Sequence, residues 1–132
     1  MPNATARRTR LGLAAIALAA ALLWVGLLRP SPADSASGQT VRIKASPTVL
    51  KFNVRTLHVR HGRVTIIMSN PRSGSLPHGV GVKGKGVQRV GKQVPPGGTS
   101  RVTVTLKRGR YTFFCPVPGH AAAGMKGTVI VS

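Results

Sequence analysis

Glutamate is absent from this 132-residue chain, and aspartate occurs once, at Asp34. Against that single acid stand 20 Lys and Arg, a formal net charge of +19. Past Ser37 no side chain carries a carboxylate, so none can act there as general acid, general base or hard metal ligand. Glycosidase pairs, aspartic-protease dyads, two-metal nucleases, EF-hands and Ser-His-Asp triads are excluded together. Cysteine is almost as scarce. Cys115 stands alone, which rules out an intramolecular disulfide, an all-cysteine zinc site and an iron–sulfur cluster within one chain. Aromatic residues are few, with three Phe, one Tyr and one Trp. They form no stacking platform of the kind that single-stranded nucleic acid requires. The basic residues fall on alternating positions and turns instead of one cluster, so nucleic-acid binding is not expected.

What is present divides the chain into a leader and one domain. Arg7, Arg8 and Arg10 precede an uncharged run of eighteen residues, Leu11 to Leu28, "LGLAAIALAAALLWVGLL". As a helix at about 1.5 Å per residue this run reaches roughly 27 Å, close to the hydrocarbon thickness of a bilayer. A Pro/Ser/Ala tract follows. Residues 1–38 therefore read as a signal peptide or N-terminal membrane anchor plus linker, with the arginines inside and the rest exported to a periplasmic or extracellular location. Membrane association through residues 11–28 is expected if the leader is retained. The remaining residues, 39–132, suffice for one modest core and not for two lobes.

From Gln39 onward apolar residues alternate with polar ones. Val41, Ile43 and Ala45 share one parity, as do Leu50, Phe52 and Val54, then Val64, Ile66 and Met68, then Val102, Val104 and Leu106; Thr128 to Val131 is a final β-branched run. Period two with β-branched residues predicts half-buried strands. "HG" at 61, "NPRSGS" at 70, "KGKG" at 83, "PPGG" at 95 and "RG" at 108 predict the turns between them. The fold class expected is all-β, an antiparallel sandwich with Greek-key connections, preceded by one hydrophobic N-terminal helix.

The chemistry concentrates in "YTFFCPVPGHAAAGMKGTVIV", residues 111–131. Four residues separate Cys115 from His120, and four more separate His120 from Met125. The flanks read as strands, and the Pro, Gly and Ala between them do not. A thiol, an imidazole and a thioether on one strand connection can meet at a point. Thiolate and imidazole with a weak axial thioether is the donor set of a blue-copper centre, which needs a second imidazole from elsewhere. His58, His61 and His78 are the candidates. His58 sits between Leu57 and Val59 with solvent-facing parity, and His61 precedes Gly62 in a turn.

This segment resembles the C-terminal copper loop of cupredoxins, the plastocyanin/azurin family, with the longer spacing of the rusticyanin-type members. "SNPRSGSLPHGVGV" resembles the segment that supplies the family's first histidine, and the resemblance spans residues 40–132. It implies His78, Cys115 and His120 as strong ligands of one copper ion per chain, and Met125 as the long axial one. It further implies a one-electron carrier, not an enzyme, working as a monomer between redox partners; the basic surface points to acidic ones. His120 would lie nearest the surface, within an apolar patch of Pro77, Val117, Pro118 and Ala121 to Ala123. A copper-binding delivery or storage protein without a carrier role is the alternative. A second copper, as in copper nitrite reductase, would need more histidines than this chain has. The dinuclear centre of cytochrome oxidase subunit II would need a second cysteine. One departure stands out. The family usually has Asn after the first histidine, tying the two ligand loops together, and here that position is Gly79. Its backbone N–H is left as a candidate donor to the Cys115 sulfur.

Overall fold

A computed structural model of the chain describes residues 38–132; the expected leader helix lies outside the described residues. The described chain runs through eight strands: β1 (Gln39–Lys44), β2 (Thr56–Val59), β3 (Gly62–Ser69), β4 (Gly81–Gly84), β5 (Val87–Val90), β6 (Thr99–Leu106), β7 (Gly109–Phe114) and β8 (Lys126–Val131). They form two sheets, ordered β1-β3-β6 and β2-β8-β7-β4-β5. No helix occurs among the described residues, and the all-β sandwich expected from the alternation is the architecture observed.

The alternation works as period-two patterning should. In β6 every second residue, Ser100, Val102, Val104 and Leu106, is buried, and the four between them are exposed. In β2 Leu57 and Val59 point inward while Thr56 and His58 face solvent. The inward residues of both sheets pack into one core around Ile43, Val64, Ile66, Met68, Val80, Val82, Phe113 and Val129, each 2% exposed or less. Burying each such side chain contributes about 1.5–3 kcal/mol. The two sheets therefore pack together through this core before any metal is considered.

Two features depart from the sequence expectation. The sandwich is not antiparallel throughout, because β1 runs parallel to β3 and β2 runs parallel to β8. Alternation reports which face is buried and carries no information on strand direction. The segment Leu50 to Val54 keeps its alternating burial but is not a strand. Phe52 makes only an isolated bridge to Ala45. There Asn53 Oδ1 accepts from Lys44 N–H at 2.7 Å, and Asn53 N–H donates to Lys44 O at 2.9 Å. This Asn side chain pairs the edge of β1 locally, and the ladder stops.

The ends of the core next to the chemistry are tightly fitted. Phe113 packs against Phe52 with ring centroids 5.3 Å apart. Its register partner on β8 is Gly127. A Cβ at Gly127 would meet Arg55 O at 2.5 Å and the Phe113 ring at 2.4 Å. Gly127→Ala should therefore cost about 1–3 kcal/mol through overpacking, read as a lower urea midpoint with an unchanged slope. An unaltered midpoint would mean that the β7–β8 spacing is looser than described.

Candidate metal centre

Each candidate ligand is placed by an identifiable local device. Cys115 continues the inward parity of Tyr111 and Phe113 one residue past β7, and it is 1% exposed. Met125, 0% exposed, lies just before β8. Between them the chain makes turns at residues 118–124. Gly119 and Gly124 take φ of +83° and +105°, values that a side chain strongly disfavours. Backbone bonds close the loop. Cys115 N–H donates to Met125 O at 3.0 Å, Met125 N–H to His120 O at 2.9 Å, and His120 N–H to Val117 O at 3.1 Å. All three residues read from the loop are thus tied to one another through the main chain.

His78 arrives from the other connection, between β3 and β4. It is held by an isolated antiparallel bridge to Val94. His78 N–H donates to Val94 O at 3.0 Å, and Val94 N–H donates to His78 O at 2.8 Å. Pro77 precedes it, restricting Leu76 to extended backbone. His78 is 4% exposed and His120 9%. Their rings lie 5.1 Å apart at 58°.

The donors converge. Cys115 Sγ lies 3.9 Å from His78 Nδ1 and 3.6 Å from His120 Nδ1, and ligand atoms of the three residues all fall within 4.8 Å of one another. Nitrogen and sulfur donors about 2.0–2.3 Å from one shared metal stand roughly 3.5–3.8 Å apart in tetrahedral or trigonal geometry. The 3.6 Å separation falls in that range and the 3.9 Å one lies just beyond it, and the donor set of soft sulfur and imidazole suits copper. His58 and His61 are exposed and lie outside the cluster; His61 Nδ1 is instead 3.2 Å from Ser132 O.

The matched family model is that of copper binding proteins, plastocyanin/azurin family, over residues 39–132. The chain belongs to this family. The cupredoxin cluster is positioned for a single copper ion, and the protein is a blue copper protein by family. A search of curated proteins finds no match. Among solved structures, auracyanin B is similar with TM-score 0.64 and 24% identity, over 71% of this chain and 88% of that one. Auracyanin A, a "blue" copper protein from Chloroflexus aurantiacus, is similar with TM-score 0.58 and 23% identity, over 72% and 99%. A copper nitrite reductase from Nitrosomonas europaea has TM-score 0.58 and 20% identity, and the match covers 72% of this cupredoxin but only 41% of the reductase. At these identities the likenesses establish the fold alone.

Two features of the cupredoxin site were not read from the sequence. No backbone N–H is hydrogen-bonded to Cys115 Sγ among the described residues, whose sulfur contacts are the two histidines. Pro116 has no N–H to offer the sulfur. Gly79 is a packing position. A Cβ there would meet Pro116 Cγ at 3.0 Å and Lys92 O at 3.1 Å, so the proline after Cys115 fills the space that a family Asn would need. The signal was present as Gly79 and Pro116 each following a candidate ligand, but nothing local says that the two lie side by side.

Burial, and then the neighbouring His120, hold the His78 imidazole below its ordinary pKa of 6.5. The neutral ring is the form able to take a metal. Because the folded value is the lower one, the unfolded chain takes up this proton first as pH falls. Metal-free protein should be fully supported by this group above pH 6.5 and lose that support as pH drops through and below it. His78→Gln should flatten that part of a pH–Tm profile; an equal slope in the variant would place the effect elsewhere. Gly79→Asn, which restores the family residue, should destabilise the protein by about 1–3 kcal/mol, with no gain in a thermal-melt comparison.

Proposed function

We propose that His78, Cys115, His120 and Met125 hold one copper ion and that residues 39–132 carry single electrons between redox proteins. The observation behind this reading is the convergence of two imidazoles and one sulfur, all buried, within 4.8 Å, in a domain without a carboxylate. Bound there, copper supplies a one-electron couple that thiolate, imidazole and a weak thioether leave poised between its two oxidation states. The chain's own part is to hold the donors still and keep water out. Main-chain bonds fix Cys115, His120 and Met125 to one another, and Cys115 and Met125 are 1% and 0% exposed. A site held this way has little to rearrange when an electron arrives.

His120 is the route in and out on this reading. At 9% it is the most exposed of the four, and Pro118, Ala122 and Ala123 beside it on the same turn are exposed and apolar. Pro77, Leu76 and Val49 add apolar surface on the His78 side, Leu76 and Val49 being 46% and 52% exposed. Such a surface suits the small, brief encounters of electron carriers. Of the 20 Lys and Arg, all but the four at positions 7, 8, 10 and 29 lie in this domain, and no acid offsets them. An acidic partner fits that field. On this reading residues 1–38 act as a cleaved signal or a retained anchor that exports the domain across the cytoplasmic membrane, and the domain works as a monomer that binds no nucleic acid.

The full chain loaded with Cu(II) should show the strong red-absorbing band of a thiolate–copper bond. Cys115→Ser and His78→Ala should lose it, with far-ultraviolet circular dichroism unchanged, while His58→Ala and His61→Ala keep it. Colourless binding by the wild-type chain would favour the delivery or storage alternative, and bleaching by His61→Ala alone would reassign the second imidazole. For the carrier role, electron exchange with an acidic acceptor should slow about tenfold or more from low to high salt, and exchange with a basic one should quicken. Parallel salt trends would remove steering from the account.

A further inference from the structure

Asn70 lies at the end of β3, in the stretch "SNPRSG" that reads as an exposed turn. It is 2% exposed. Its side-chain Nδ2 donates twice, to Leu76 O at 2.9 Å and to Val94 O at 3.1 Å. Its main chain is engaged as well: Asn70 N–H donates to Gly98 O at 2.9 Å, and Asn70 O accepts from Gly97 N–H at 2.8 Å. Asn70 therefore joins the segment that delivers His78 to the facing segment, residues 94–98.

The decisive atom is Val94 O. It accepts from Asn70 Nδ2 and also from His78 N–H at 3.0 Å, so both of its lone pairs are used. Leu76, the other acceptor, is two residues before His78. One amide thus grips the chain just ahead of His78 and the carbonyl that His78 itself is hung on. The amide orientation is set by chemistry. Turned over, Oδ1 would face two carbonyl oxygens and repel both. As it stands, Oδ1 is buried with no partner among the described residues, an unfavourable placement that is kept because the two donated bonds need it.

We propose that Asn70 is a positioning residue for His78, fastening the segment that carries it, from eight residues upstream, to the facing residues 94–98. The inference rests on the reading of His78 as a ligand. Asn70 touches no donor atom, and its effect travels through Val94 O and the Leu76–His78 backbone.

The test uses the full chain with Asn70→Ala, and with Asn70→Ser as a milder variant whose single hydroxyl proton reaches one carbonyl. Val104→Ala, in β6 and bonded to neither segment, is the control for general destabilisation. In metal-free protein, amide exchange at His78 and Val94 should quicken by about tenfold or more in Asn70→Ala, by less in Asn70→Ser, and not selectively in Val104→Ala. In Cu(II)-loaded protein, the visible band ratio and the copper hyperfine splitting should shift in the same order. Asn70→Ser carries both measurements alone if Asn70→Ala does not fold. Unchanged exchange at His78 and Val94 in the folded variants would overturn the proposal, as would equal spectral shifts in Val104→Ala. Selective exchange without any spectral shift would instead leave the tie standing and remove His78 from the ligand set, so the two readings fail separately.

Discussion

The site depends on two unrelated connections meeting at the Cys115 sulfur. One is the loop from β7 to β8, closed on itself by the Cys115–Met125 and Met125–His120 main-chain bonds. The other is the run from β3 to β4, fastened to residue 94 by a two-way backbone bridge at His78. Neither contains a complete donor set. Only the packing of the two sheets, with Val80, Val82, Phe113 and Val129 all fully buried between or beside these connections, puts the sulfur 3.6–3.9 Å from both imidazoles. The hydrophobic core is therefore the frame of the metal centre, and the turn glycines and prolines adjust within it.

Much of this was legible because it is local. The spacing of Cys115, His120 and Met125 lies within eleven residues, and the flanking alternation announces the strands that carry them. The inward parity of Tyr111, Phe113 and Cys115 could be read from the same pattern. His58 and His61 were recognisable as outsiders from parity and a turn signal. What escaped was non-local. Parallel pairing of β1 with β3 and of β2 with β8 leaves no trace in alternation. Leu50 to Val54 had the pattern of a strand, but Asn53 used its side chain to pair with Lys44 and ended the ladder after one bridge. "NPRSG" had the composition of a solvated turn, yet Asn70 is buried because two carbonyls from different segments converge on its amide. Sequence states what a residue can donate, and only the fold states what it is donated to.

The near absence of acids shapes the molecule on two scales. At the site, a buried cluster without a carboxylate offers only soft and borderline donors, which selects for copper over hard cations. On the surface, uncompensated Lys and Arg give a field of one sign, damped over about 8 Å at physiological ionic strength. The first effect is a matter of coordination and the second of encounter. They are physically separable because the ligands are held by main-chain bonds and core packing, not by surface charge.

The central claim is that the protein sets the donor positions before the metal arrives. Crystal structures of the full chain without metal and with Cu(II) test it directly. The account predicts that Cys115 Sγ stays within about 0.5 Å of its 3.9 and 3.6 Å separations from His78 Nδ1 and His120 Nδ1 in both forms. A metal-free structure in which either imidazole swings away from the sulfur, returning only on loading, would contradict it.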